Sequence, residues 1–286
     1  MTEAGLEPAA ISRQEFEQIR VLAHERFGLD LHSGKQALVA ARLSKNLRAL
    51  NLRSFDEYYR HVLGDTSGES LLGLIDALTT NFTSFLREPA HFAYMVEHIW
   101  PAVKNRTQVR IWSAACSTGE EPYSILFKLL ADAGAGGNAV RVLATDISTA
   151  ALASAERGIY NDSHLQQLPP EWRRRFFLRG EGRWQGSFRV KPEVRGAVEF
   201  RRLNLIDPGA IGGPFPLIFC RNVMIYFDRP TQQQVVKRLS ACLEPGGYLF
   251  IGHAESLNGL DIPLKYVRPA VYRMAGTLDR NRGQRL

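Results

Sequence analysis

The chain has 286 residues, of which 45% are hydrophobic, 23% charged and 10% aromatic, enough for one large core and a smaller second one. That composition excludes disorder, collagen and coiled coil, and the longest apolar runs, Tyr248 to Gly252 and Pro216 to Cys220, fall far short of the roughly 20 residues a membrane helix needs. Thirty-six Lys and Arg against 29 Asp and Glu leave a formal charge of +7, which favours an acidic partner, nucleic acid or protein.

The first thirty residues carry Glu3, Glu7, Glu15 and Glu17 and no uninterrupted apolar stretch of the secretory kind, so the expected compartment is the cytoplasm. Apolar residues then recur at three and four spacings with no alternating run, which predicts helices alone for the first hundred residues. Ser12, with Glu15 three residues on, has the capping-box pattern for a helix to Phe27, and Gly28 stops it. From Ser33 to Leu50, Val39, Leu43, Leu47 and Leu50 fall on one face and Lys35, Arg42, Lys45 and Arg48 on the other. That basic face reads either as solvated surface or as a docking surface for an acidic partner. Two shorter helices, near Ser54 to Leu63 and Glu69 to Thr80, lead into the polar stretch Thr79 to Arg87, which bridges two domains.

After Pro101 the pattern changes. Val109 to Trp112 reads as a strand, followed by a small-residue turn through Gly119 and a helix from Pro122 to Ala133. Val140 to Thr145 is a second strand ending at Asp146, with Ser148 capping a helix through Ala155. Further strands are expected at Val198 to Leu203, Pro216 to Cys220, Tyr248 to Gly252 and Val271 to Met274, with a helix from Pro230 to Leu243. Strands alternating with helices imply a largely parallel, doubly wound sheet. Between Arg174 and Arg202 the runs Phe176 to Leu178, Ser187 to Val190 and Val198 to Phe200, separated by Gly-rich turns, suggest a small antiparallel insertion. The expected organisation is a helical domain over 1–87, an α/β domain over 88–275 with the inserted β-subdomain at 174–202, and a polar tail over 276–286. Cys116, Cys220 and Cys242 form no CxxC pair, so they read as reduced core residues with neither disulfide nor metal role.

In an open parallel sheet, ligands bind outside the carboxyl ends of the strands, where strand order reverses. Three segments end at that edge. Ala114-Ala115-Cys116-Ser117-Thr118-Gly119-Glu120-Glu121 offers small residues for close approach but no Walker or GxGxxG signature. Its two acids repel a phosphate and complement an ammonium group, although an ordinary capped turn explains the segment too. Asp146, 25 residues after Glu121, stands where nucleoside-binding folds place an acid on ribose hydroxyls, or else caps the next helix. Arg221 and Asn222 leave a central strand inside an apolar run and are expected to line a cleft, or to cap the following helix. A nucleoside carrying an amino-acid ammonium suits all three, and S-adenosylmethionine has that description.

These segments jointly resemble the chemotaxis receptor methyltransferase family (CheR). The resemblance extends over nearly the whole chain: Asn81-Phe82-Thr83 through Arg87, Trp112 to Ser124, Asp146-Ile147, Asn204-Leu205, and Arg221-Asn222-Val223-Met224-Ile225-Tyr226-Phe227. It implies a Rossmann-like (class I) methyltransferase domain behind an all-α domain. It also implies S-adenosylmethionine binding, without a metal, by Asn81, Thr83, Arg87, Glu121, Asp146, Asn204, Leu205, Arg221 and Asn222. Glu120 is a second-choice partner for the ammonium. The implied reaction is methylation of a receptor glutamate to its γ-methyl ester, with S-adenosylhomocysteine as the other product. Arg87 is the candidate for steering the carboxylate or ordering the methionine end of the cofactor, and Tyr226 for donating a hydrogen bond nearby.

Leu178 to Val190 resembles the small β-subdomain that, in part of this family, captures a five-residue tag at the receptor C-terminus. The residues implied are Gly180, Gly182, Arg183, Trp184, Gly186 and Arg189, in a hairpin that accepts an extended peptide by strand addition or serves structure alone. By the same resemblance Arg42, Lys45 and Arg48 meet the receptor's acidic helical region and the protein is recruited to receptor arrays; with no exposed heptad or obvious dimer strip, a monomer is expected. A nucleic-acid methyltransferase suits the basic charge, but the Asn/Asp-Pro-Pro-aromatic motif is replaced by Arg221-Asn222-Val223-Met224 and no nucleic-acid platform appears, so no nucleic-acid partner is expected. A cofactor-binding adaptor without turnover is disfavoured by intact Arg87, Asp146 and Asn222.

Overall fold

The computed structural model describes residues 10–79, 82–132, 134 and 140–276. The chain divides into two compact units, Met1–Thr80 with Tyr226–Asp228, and Asn81–Ile225 with Arg229–Leu286. Among the described residues no helix is long and apolar enough to cross a membrane.

The first unit is built from α1 (Arg13–Phe27), α2 (Gln36–Ala49), α3 (Phe55–Gly64) and α4 (Glu69–Leu78). The expected capping box is present: Glu15 N donates to Ser12 Oγ at 3.2 Å while Ser12 N donates to Glu15 Oε2 at 2.8 Å. Gly28, at φ 71°, ends the helix in the left-handed region. The core joins Phe16, Ile19 and Leu22 of α1 to Val39, Leu43 and Leu47 of α2, Phe55 and Tyr58 of α3, and Leu74 and Ile75 of α4. The Asn46 amide crosses it, donating to Tyr58 Oη and to the Gly73 carbonyl, each at 3.0 Å. Two expectations for α2 are corrected. Leu50 lies past the last helical residue and is 42% exposed, off the buried face. Arg42 is half-buried and donates to the Leu78 carbonyl, which leaves Lys45 and Arg48 as the exposed cations of that face. The segment Tyr226–Asp228 belongs to this unit through a bridge between Leu29 and Phe227, the Asp30 N–H to Tyr226 carbonyl bond at 2.8 Å, and His24 Nε2 at 2.9 Å from Asp228 Oδ2.

The second unit carries β1 (Val109–Ala114), β2 (Val140–Asp146), β3 (Ile159–Asn161), β4 (Phe177–Arg179), β5 (Ser187–Val190), β6 (Val198–Arg202), β7 (Phe215–Cys220), β8 (Leu243–Phe250), β9 (Leu264–Arg268) and β10 (Val271–Met274). Its helices are α5 (Pro89–Tyr94), α6 (Trp100–Val103), α7 (Glu120–Asp132), α8 (Thr149–Arg157), α9 (Pro170–Phe176), α10 (Pro192–Arg195) and α11 (Arg229–Ala241). The large sheet has the order β6-β2-β1-β7-β8-β10-β9, parallel from β6 to β8, with β10 antiparallel to both of its neighbours. β7 is buried at all six positions, which is why its sequence reads as a continuous apolar run rather than an alternation. The chain steps outward from β1 through β2 to β6 and returns to β7, so strand order reverses between β1 and β7.

The small sheet has the order β3-β5-β4. Val198–Arg202, expected in the insertion, instead pairs in parallel with β2 from Val142↔Val198 to Asp146↔Arg202 as the edge of the large sheet. The third strand of the small sheet is Ile159–Asn161, too short to leave a period in the sequence. β5 is the central strand, so the open edges belong to β3 and β4. Gly180 is required by close approach, since a Cβ there would run into the backbone and Cβ of Trp184.

Replacing Ser12 with Ala removes the acceptor for the Glu15 N–H and is expected to lower stability by about 1 kcal/mol. A downward shift of the urea midpoint at unchanged slope is the readout.

Candidate active site

The crevice at the β1/β7 reversal is built on a strained turn. Ala115, Ser117 and Gly119 have φ of 70°, 50° and 96°. Two of the three are not glycine, a cost that surrounding bonds must hold in place. They do so: Ala115 N and Cys116 N both donate to the Thr145 carbonyl at 2.7 and 2.8 Å, and Ser117 N donates to Asp146 Oδ2 at 2.7 Å. Asp146 Oδ1 also accepts the Ser148 N–H at 3.0 Å, while capping of α8 falls to Ser148 Oγ. Asp146 thus joins the end of β2 to the turn after β1. Cys116 is buried, and burial pushes its thiol well up from the usual range, in keeping with a packing role.

On the far side of the crevice Arg221 is the hub. Its side chain is 1% exposed. Nη1 donates to Glu121 Oε2 at 3.2 Å, and Nη2 donates to Glu88 Oε2 at 2.9 Å and to the Arg87 carbonyl at 2.5 Å. The cleft-lining expectation for Arg221 is therefore replaced by a buried guanidinium held between two carboxylates. Glu121 Oε1 accepts from Ser113 Oγ at 2.7 Å, and Glu88 Oε1 accepts from His253 N at 3.1 Å and from the Asn222 amide at 3.4 Å. Burial raises the Glu121 carboxyl above its usual value although Arg221 pulls it down. At Glu88 burial acts in the same upward sense, but the Arg221 charge and the donated N–H bonds together prevail and hold the carboxyl low. Glu120 is buried and raised by burial, with Thr118 Oγ1 donating to it at 2.7 Å.

The Arg87–Glu88 pair is delivered by its own anchor. Phe85 is fully buried, its ring 4.9 Å from Tyr160 and 5.8 Å from Phe177. Leu86 and Glu88 take left-handed φ of 53° and 57°, and Leu86 N donates to Ser124 Oγ at 2.9 Å. The Arg87 guanidinium turns back over Phe82, donating to its carbonyl at 3.0 Å, and the Phe82 ring is 74% exposed. Asn222 is left-handed too, at φ 57°. It is fixed by Glu255, whose carboxylate accepts the N–H of Asn222 at 2.9 Å, of Gly252 at 2.5 Å and of Ile225 at 3.3 Å.

The structure therefore gathers Arg87, Glu121, Arg221 and Asn222 around Glu88. Asn204 and Leu205 follow Leu203, whose N–H donates to the Asp146 carbonyl at 2.9 Å, so they lie beside the end of β2. Leu205 is buried, and Asn204 Oδ1 accepts the Ile206 N–H at 3.2 Å. Thr83 is half-buried, Asn81 lies outside the described residues, and Tyr226 belongs to the first unit. In the small sheet, Gly182 and Gly186 are left-handed at 56° and 82°, Arg183 stacks 5.4 Å over the half-exposed Trp184, and exposed Arg189 sits on central β5 between Ile159 and Leu178. Sequence reasoning missed Glu88 and Glu255. Glu88 adjoins a residue already singled out, whereas Glu255 had only its place just after a strand end as a signal.

Glu88, His91 and His253 offer three donor atoms all within 4.8 Å of one another. Glu88 already takes Arg221 as its cation. His91 is 2% exposed; its Nδ1 stands 3.4 Å from Glu88 Oε2 without hydrogen-bond geometry, and Nε2 makes no hydrogen bond. Burial, with Arg221 beside it, lowers its pKa from the usual 6.5 to about 3.

Arg221→Ala leaves Glu88 and Glu121 buried without their countercharge and is expected to cost about 3–5 kcal/mol, read by chemical denaturation. His91 adds an acid-side penalty. The unfolded chain binds its proton near pH 6.5 while the folded chain, with Arg221, Glu88, His253 and Arg268 around the ring, does not until about 3, so this contribution is lost as pH falls through that window. The raised carboxyls of Glu120, Glu121 and Glu255 act in the opposite sense, since the folded chain holds their protons more tightly as pH falls. The difference in unfolding free energy between wild type and His91→Gln isolates the histidine, and is expected to shrink as pH falls below about 6.5 and to go on shrinking toward about 3.

Residues 14–79 match the CheR methyltransferase all-alpha domain and residues 81–272 the CheR methyltransferase SAM binding domain. The chain is 42% identical over 265 residues to chemotaxis protein methyltransferase 2 of Pseudomonas aeruginosa, an alignment covering 92% of this chain and 94% of that one. It is 41% identical over 252 residues to the chemotaxis protein methyltransferase of Salmonella typhimurium, covering 88% and 86%, and 40% identical over 256 residues to that of Escherichia coli, covering 89% and 88%. With an all-α unit ahead of a doubly wound unit whose strand ends carry this buried acidic cluster, the chain belongs to the CheR family of S-adenosylmethionine-dependent methyltransferases.

Proposed function

We propose that the protein methylates glutamate side chains of chemoreceptors, forming γ-glutamyl methyl esters and S-adenosylhomocysteine, as part of adaptation in chemotaxis. The observation that carries this reading is the charge balance at the crevice. One guanidinium, Arg221, stands between two carboxylates, Glu88 and Glu121, so the ionised cluster holds one net negative charge in a buried setting. With Asp146 ending the next strand and a turn of small residues between, the donor set fits a cationic nucleoside and repels a phosphate. Bound there, S-adenosylmethionine supplies an electrophilic methyl group on a positively charged sulfur.

In this reading Glu121 complements the ammonium, Asp146 the ribose hydroxyls, and Asn204, Leu205, Asn222, Asn81 and Thr83 line the remainder. Arg221 acts through Glu121 and Glu88 rather than on the ligand. Glutamate, with an ordinary pKa of about 4.3, is already ionised at neutral pH, so the residues here need no general base. Their task is to align and to exclude water, effects that reach about 7–11 kcal/mol in the best intramolecular systems. Arg87 steers the incoming carboxylate, and Tyr226 donates a hydrogen bond during transfer. The names borne by the relatives support a receptor substrate. The small sheet takes up the receptor's terminal five residues by strand addition at an open edge, with Arg183 and Arg189 facing its carboxylate. Lys45 and Arg48, with Arg42 behind them, face the receptor's acidic helices. The protein works as a cytoplasmic monomer that reaches the membrane only through receptors, and tethering raises the local substrate concentration.

The test is transfer of labelled methyl from S-adenosylmethionine to receptor-containing membranes, with and without the receptors' last five residues. Label released as methanol by alkali is expected, falling when the tag is removed. Label absent from every receptor would sink the assignment. Within the same assay Asp146→Asn is expected to raise the cofactor KM about tenfold or more, the value of a charged hydrogen bond, with a smaller effect on kcat.

A further inference from the structure

The turn after β1 is held from outside as well as from β2, by a residue of the small sheet. Tyr160, in the middle of β3, is buried, and its hydroxyl donates to the Thr118 carbonyl at 2.8 Å. Thr118 lies between the left-handed Ser117 and Gly119. The packing is close enough that a Cβ on Gly119 would stand 3.0 Å from Tyr160 Oη and 2.8 Å from Ala155 Cβ. The tyrosine ring is fixed in turn by Phe85, edge-on at 4.9 Å, and by Tyr123 at 6.3 Å. The Tyr160 backbone pairs with Phe188 of β5.

We propose that Tyr160 is a positioning residue for cofactor binding, its hydroxyl fixing the Thr118–Gly119 peptide and so the turn on which the cofactor rests. The inference rests on the reading of that turn as the cofactor's. A peptide unit that leads into a left-handed glycine, as Thr118–Gly119 does, has a competing orientation with its carbonyl reversed, the difference between the two common turn types. The hydroxyl favours one of them, because reversal would strand a buried phenol that has no route to water. The Gly119 N–H, on the same peptide, then donates to the Cys116 carbonyl at 3.1 Å, closing the turn that starts α7 with Glu120 and Glu121. Phe85 gives the same ring a hold on the Arg87–Glu88 segment from its other side. The strand that carries Tyr160 belongs to the small sheet, so that sheet contributes to the cofactor site as well as to whatever it binds itself.

The experiment uses the full chain and S-adenosylhomocysteine as the probe, titrated calorimetrically, with Tyr160→Phe compared against Tyr123→Phe. Tyr123→Phe likewise removes a buried bond, the hydroxyl donating to the Ala155 carbonyl at 2.8 Å, but leaves in place the Tyr123 N–H bond to the Gly119 carbonyl at 3.2 Å, so no hydrogen bond to the turn is lost. Tyr160→Phe keeps the ring and is expected to raise the dissociation constant about three- to tenfold, the range for one hydrogen bond, with kcat at saturating cofactor within about twofold of wild type. Tyr123→Phe is expected to lower thermal stability comparably and leave the dissociation constant unchanged. Unchanged affinity in Tyr160→Phe, or an equal loss in both variants, overturns the inference, since the hydroxyl would then be acting only through general stability. A wild-type protein that binds no S-adenosylhomocysteine overturns the cofactor reading itself.

Discussion

The architecture of the crevice depends on one guanidinium that has been taken out of water. A lone Arg in that position would be untenable, and a lone Glu88 or Glu121 nearly so. Together they form a buried chain in which each charge is justified by its neighbours, and every link comes from a different part of the fold: Glu88 ahead of α5, Glu121 on α7, Arg221 after β7. Buried ion pairs contribute little net stability because desolvation offsets most of their attraction, so their value lies in specifying one arrangement. Here that arrangement also fixes the Arg87 carbonyl and the Asn222 side chain.

The same logic explains why so many left-handed residues collect at this edge. Leu86, Glu88, Ala115, Ser117 and Asn222 each bear a backbone cost that glycine would avoid. What holds several of them is a bond from their own N–H: Ser117 to the Asp146 carboxylate, Asn222 to that of Glu255, Ala115 to the Thr145 carbonyl and Leu86 to the Ser124 hydroxyl. Two of the acids, Asp146 and Glu255, thus shape the loops through the backbone N–H groups they accept.

Much of this was legible in the amino-acid order. The Ser12–Glu15 cap, the stop at Gly28 and the strands at Val109, Val140 and Pro216 all carry local signatures that the structure reproduces, because capping and burial on both faces are short-range effects. The failures are long-range. Val198–Arg202 looks locally like the short strands near it, and only its register with β2 assigns it to the large sheet. Ile159–Asn161 is three residues long and is a strand because β5 lies beside it. Arg42 reads as surface by helical period, yet the Leu78 carbonyl one helix away draws it inward. Glu88 and Glu255 reveal themselves only when residues 221 and 222 arrive next to them. Of the site residues, the family resemblance alone raised Asn81 and Thr83; nothing in their local chemistry singles them out.

The separation of those partners along the chain has a consequence for synthesis. Glu88 and Arg221 stand 133 residues apart, and Asn222 waits for Glu255 a further 33 residues on. Contacts of such span form late, after the loop between them has been closed, and during translation they form only when the more distal member has emerged. The helical unit can gather most of its core long before, from residues within the first eighty. A growing chain therefore passes through most of its length with Glu88 and Glu121 lacking Arg221 and the crevice unmade. The buried cluster is completed as a late event, when β7 docks and delivers Arg221 and β8 then brings Glu255 to Asn222.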